Sequence, residues 1–179
     1  MMVPSPQELQ DHGVFRALMW ALARPGEPQP LVGGLEAVGR ALLDLETRFH
    51  TPDPALQRAF LRLGAQAAAP AQADYLFLGT LDEAALEAVA QAPTGSLLYP
   101  EGGATIALVG RTGYGPLLRL RGPGIHEEVL VQLGLPPVLW SLRAQRVAFP
   151  LGWDLLVLEP APPGWLVRAI PRSVTLEVV

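Results

Sequence analysis

Residues 99–125 read YPEGGATIALVGRTGYGPLLRLRGPGI and pack seven glycines and three prolines around two short apolar runs. Glycines at this density either bare backbone N–H groups to an anion or turn the chain between strands. The stretch lacks a phosphate-loop lysine, and Pro100-Glu101-Gly102-Gly103 precedes an apolar run, whereas a dinucleotide fingerprint follows a strand and opens a helix. The Glu101 carboxylate also repels phosphate. The reading is therefore a turn, then a hairpin in which Ala104–Gly110 and Leu117–Arg121 pair across Arg111–Pro116.

Outward from this stretch, helices dominate the first half of the chain and strands the second. Ser5-Pro6-Gln7-Glu8 is a helix start, with serine as N-cap and glutamate closing a capping box. Gly13 weakens the first turns, so the firm helix is expected over Val14–Ala23, ended by Arg24-Pro25-Gly26. Further helices are expected at Leu35–Leu45, Ala55–Leu63, Asp82–Gln91 and Pro136–Arg143. Strands are expected at Arg48–Thr51, Asp74–Gly79, Trp153–Leu158, Trp165–Ile170 and Thr175–Val178, while Val129–Leu133 fits either state. The pattern predicts a single layered α/β domain over residues 1–179 with a mixed sheet.

Composition excludes several chemistries. The chain has no cysteine, and all 13 basic residues are arginine. Disulfides, thiolate metal sites and iron–sulfur ligation are thereby absent, as is any lysine Schiff base. The net charge of −4, with no basic stripe, argues against nucleic acid. No apolar run reaches the ~20 residues of a membrane span, and MMVPSPQELQDHG does not read as a leader, so a cytoplasmic protein is expected. His12, His50 and His126 have no ligand spacing, and no metal is expected.

Few residues invite chemistry. Glu127 and Glu128 are adjacent and diverge, which makes them solvated charges rather than an acid–base pair. Asp154 stands directly before an apolar run and Arg172 interrupts two others, so a contact between them across adjacent strands is possible. Arg24 and Arg172 are the candidate anion binders, because a guanidinium presents a planar fork to phosphate. Ser5, Ser96, Ser141 and Ser173 lack an elbow or a base. The residues form no catalytic set.

Four segments, in order, nonetheless resemble the PhnH family of the bacterial carbon–phosphorus (C–P) lyase system. They are FRALMWALARPG at 15–26, PEGGATIALV at 100–109, LRGPGI at 120–125 with FPLGWDLLVL at 149–158, and AIPRSVTLEV at 169–178. The last departs from the common PRTT form at Ser173-Val174, which removes a hydroxyl. The resemblance implies a three-layer α/β fold similar to pyridoxal-phosphate-dependent transferases but without that cofactor, consistent with the missing lysine. It also implies a homodimer and partner subunits PhnG, PhnI and PhnJ, of which PhnJ carries the radical chemistry.

Three functions follow as expectations. The first is a non-catalytic, homodimeric docking subunit that needs no cofactor. The second is a subunit holding ATP or a ribosyl phosphonate, with Glu101, Gly102, Gly103, Gly122, Gly124, Asp154 and Arg172 as candidate ligand-binding residues. The third is an independent enzyme built on Asp154, Arg172 and His50.

Overall fold

A computed structural model describes residues 5–179, so the part of the leader reading that concerns residues 1–4 lies outside the described residues. Helix α1 runs unbroken from Pro6 to Ala23. The Ser5 hydroxyl accepts from the Glu8 N–H, and the Glu8 carboxylate takes the Ser5 N–H at 2.6 Å. This capping box secures the first turns, and Gly13 sits in open space, so the expected weak start does not occur. The other helices are α2 (Leu35–Leu42), α3 (Pro54–Arg62), α4 (Glu83–Gln91) and α5 (Pro137–Arg146). Asp53 caps α3 and Asp82 caps α4 through their carboxylates.

The strands are β1 (Gln29–Leu31), β2 (Arg48–His50), β3 (Gln66–Ala67), β4 (Tyr75–Gly79), β5 (Thr105–Val109), β6 (Leu118–Arg121), β7 (Val129–Val131), β8 (Asp154–Ala161), β9 (Gly164–Ile170) and β10 (Thr175–Val178). Seven form one mixed sheet in the order β1-β9-β8-β5-β4-β2-β3. The run from β8 to β3 is parallel, while β9 joins β8 antiparallel and β1 joins β9 antiparallel. A smaller antiparallel sheet has the order β10-β6-β7.

Side chains on the central strands alternate between two cores, as the two-residue period of a strand requires. Phe77, Ala107, Leu156 and Leu158 face α1, α2 and α3, where Phe60 lies edge-on to Phe49 at 5.3 Å. Leu76, Leu78, Ile106, Leu108, Leu155 and Val157 face the opposite side, against α4, α5 and the small sheet. The sheet is thus covered on both faces, and a mixed α/β architecture stands.

The expected hairpin does not form. β5 pairs with β4 on one edge and β8 on the other, both parallel, so no edge remains for β6. β6 pairs instead with β7 and β10. The glycines of residues 111–116 do turn the chain, but they carry it from one sheet to the other. Local turn chemistry predicts the bend and cannot report which strand occupies a neighbouring edge. β1 and β3, two or three residues long, were too short to register as a pattern, and Val129–Val131 settles as a strand.

Candidate functional site

Asp154 opens β8 and Arg172 follows the end of β9, so the antiparallel pairing brings them together at the amino-terminal edge of the parallel strands. The Arg172 fork grips the carboxylate, with Nη2 donating to Oδ2 at 2.7 Å and Nε to both oxygens at 3.2 Å. The Arg172 backbone N–H donates to Oδ1 at 2.7 Å. The remaining reach goes to main chain: Nη1 donates to the Pro100 carbonyl at 2.7 Å and Nη2 to that of Gly103 at 3.0 Å. The pair is largely buried, with side chains 14% and 22% exposed. Such a geometry is bidentate and charge-assisted, and it fixes two loops at once.

Every segment of the four-part resemblance meets here. A Cβ on Gly103 would strike the Gly152 carbonyl and the Arg172 guanidinium. One on Gly122 (φ +145°) would lie 3.0 Å from the Ser173 carbonyl, and one on Gly124 (φ +82°) would strike the Ala23 carbonyl. The Gly26 N–H donates to Ala169 at 3.0 Å. Residues far apart in sequence therefore close a single junction around Pro171–Val174. Gly103, Gly122 and Gly124 allow close approach of main chain at this junction. Gly102 and Glu101 lie exposed beside this junction, and Glu101 forms no ion pair among the described residues.

The other candidates disperse. Arg24 is exposed, lies 4.9 Å above the Trp20 ring and 3.9 Å from Glu27. His50 sits on β2, three strand spacings from β8, roughly 14 Å away. Its Nδ1 lies 3.2 Å from the Ala68 carbonyl. Asp154, Arg172 and His50 do not converge, and that enzyme reading loses its site. Among the described residues no group of three or more histidines and carboxylates gathers, and no helix is long and apolar enough to cross a membrane.

Sequence reasoning missed Arg143. It lies on α5, 4% exposed, in an arginine-rich stretch whose helical period buries this position. Its Nη2 donates to the Pro171 carbonyl at 2.8 Å and to Val174 at 3.2 Å. Burial pushes its pKa down to about 10, and Asp154 works in the opposite direction. Since Arg172 holds that carboxylate, two guanidinium groups share one negative charge. Both line a cleft of about 260 Å³ together with Trp140, Phe149 and Ser173.

A second cleft, of about 490 Å³, lies at the carboxyl ends of β5 and β8, where open α/β sheets commonly bind ligands. Gly110, Arg111, Gly134 and Glu159 line it. The Glu159 carboxylate accepts from the Thr112 N–H and hydroxyl and from Arg168 Nη1 at 3.0 Å. Burial acts to raise its pKa, but the Thr112 bonds and Arg168 together prevail and hold it below the usual carboxylate value. A depressed folded-state pKa contributes stability above the unfolded value and loses it as pH falls through the folded one. Urea unfolding is therefore expected to separate wild type from Glu159→Gln most widely near neutrality. The gap should narrow once the pH drops below about 4; a gap independent of pH would assign the effect to packing.

The fold and these contacts define a class: layered α/β proteins whose polar residues fix a rigid junction beside a positively charged cleft. The sequence matches the model of the bacterial phosphonate metabolism protein family (PhnH) over residues 5–177, and the chain belongs to that family. It is 39% identical over 167 residues to a protein of Stutzerimonas stutzeri that carries the name "Putative C-P lyase subunit protein HtxG", an alignment spanning 89% of this chain and 82% of the relative.

Proposed function

We propose that this protein is a subunit of a C–P lyase system in phosphonate catabolism, acting in the cytoplasm as a homodimer that docks PhnG, PhnI and PhnJ. The family match over residues 5–177 carries this reading. The junction supports a docking role, because the Arg172 fork is engaged by Asp154 and two carbonyls and holds loops in place. The fold is proposed to be akin to pyridoxal-phosphate-dependent transferases, but a chain without lysine forms no internal aldimine with that cofactor. Co-expression of the tagged chain with the three subunits from its own genome is expected to yield a stoichiometric complex on pull-down and sizing. Recovery of the chain alone would overturn the subunit role.

The second reading, a subunit that holds a phosphate-bearing ligand such as ATP or a ribosyl phosphonate, is favoured by one observation. Arg143 is buried at a cleft without a carboxylate of its own. The volume falls just short of the ~300–1,000 Å³ of ordinary ligand pockets, which suits part of a nucleotide better than the whole. Of the candidate residues Arg172 lines that cleft, beside Arg143 and Ser173, whereas Glu101, Gly102, Gly103, Gly122, Gly124 and Asp154 do not. Titration calorimetry with ATP and with methylphosphonate separates the two readings.

A further inference from the structure

The two most exposed large apolar side chains of the described chain, Leu98 and Leu97, are adjacent, and two exposed aromatic side chains lie beside them. Leu97, Leu98 and Tyr99 are 79%, 84% and 67% exposed, and Phe149 is 69% exposed. Phe149 and Pro150 line one depression with Pro100 and Glu101, which puts the aromatic ring beside the base of the loop that carries the leucines. Turn tips ordinarily carry glycine, proline, asparagine, aspartate or serine. Here two leucines occupy the tip.

The loop is rigid. Ser96 and Tyr99 exchange backbone hydrogen bonds of 3.1 and 3.0 Å across the two leucines. Gly95 takes φ +75° and packs against the Pro100 carbonyl, where a side chain would collide. Below it Thr94 and Gly103 form a bridge, the Ala104 N–H donates to Pro93 and the Gly152 N–H to Thr94, both at 2.9 Å. Arg172 pins the far side through Pro100 and Gly103. A preformed apolar tip loses little conformational freedom when it is covered.

We infer that Leu97, Leu98 and Tyr99, with Phe149, form a plug that seats in an apolar cleft of a different subunit, whose rim is basic opposite Glu101. The inference rests on the subunit reading above. The four side chains expose roughly 600 Å² together, below the ~800 Å² that each partner supplies to a standard interface, so tip against tip makes no stable pair. Two copies would also oppose convex surfaces and carry the same net charge of −4. The chain's own cleft beside Phe149 is a poor socket, because two guanidinium groups, Arg143 and Arg172, line it and entering leucines would offer them no hydrogen-bond acceptor. A concave partner that wraps the tip covers the flanks of the loop as well as the four side chains and avoids opposing two convex surfaces, and a cation on its rim pairs with Glu101.

The test uses full-length chains co-expressed with PhnG, PhnI and PhnJ. Leu97→Asp/Leu98→Asp is expected to weaken capture of those subunits by about 100-fold or more, in line with the loss of a central apolar anchor. Its melting temperature and its own oligomeric state should match wild type. Glu101→Lys is expected to weaken capture by about tenfold and to reduce its salt dependence. Leu98→Ser serves as the gentler variant should the aspartates disturb folding. Wild-type capture by all three variants would overturn the plug, and a change confined to self-association would assign the tip to a second copy. Failure of the unsubstituted chain to bind any subunit would overturn the subunit reading and the plug together, and that outcome is seen without any substitution.

Discussion

Arg172→Ala is expected to lower folding stability by about 3 kcal/mol, because it leaves a largely buried carboxylate without its partner, takes the donor from the Gly103 carbonyl and leaves the Pro100 carbonyl only its bond from the Gly103 N–H. For a chain of this length that corresponds to a fall in melting temperature of roughly 6–12 °C. Arg172→Lys should recover only part of it, since an ammonium cannot span Asp154 and both carbonyls in one plane. Thermal and urea unfolding measure both. A variant of wild-type stability that no longer binds phosphonate or ATP would instead assign Arg172 to a ligand. The prediction separates a structural arginine from a recognition arginine by the kind of loss, where sequence offered both.

The second large effect is steric. Gly103 has ordinary extended backbone angles, so its requirement is space alone. An added Cβ meets the Gly152 carbonyl, which is main chain and cannot swing aside, and the clamped Arg172 guanidinium. Gly103→Ala is expected to cost about 2–3 kcal/mol. Its neighbour behaves differently: a Cβ on Gly102 touches only the Gly95 Cα at 3.8 Å, so Gly102→Ala should stay within about 0.5 kcal/mol of wild type. Chemical denaturation of the two single variants checks this contrast. If the adjacent glycines formed an anion cradle, both substitutions would weaken ligand binding and neither would need to destabilise the chain.

What the sequence makes legible follows from how local each cause is. The Ser5–Glu8 box, the helix start at Asp82 and the short apolar runs that become β4, β5 and β8 are written within a few residues, and each was readable. The partner of β5 was not, because pairing is decided by which edges remain free after the whole sheet has assembled. Arg143 escaped notice for a related reason. Its significance comes from Pro171, Val174 and Asp154, elements that nothing in its own stretch announces. Asp154 and Arg172 were visible as polar residues interrupting apolar runs, a pattern that carries information because an isolated charge beside a core demands a partner. Their further grip on Pro100 and Gly103 was not visible. The exposed leucines at residues 97 and 98 read as ordinary apolar positions until the turn beneath them is known.

The Arg172 clamp reaches back 72 residues to Pro100. Synthesis proceeds from the amino terminus, and a growing chain emerges in that order at about 5–20 residues per second. The loop bearing Leu97 and Leu98 is therefore made several seconds before the arginine that fixes it. During that interval the tip is tethered only at its own base. Recognition that depends on its fixed shape is deferred until Pro171–Val174 has been translated and β9 has paired with β8, which ties assembly to a chain folded through both halves.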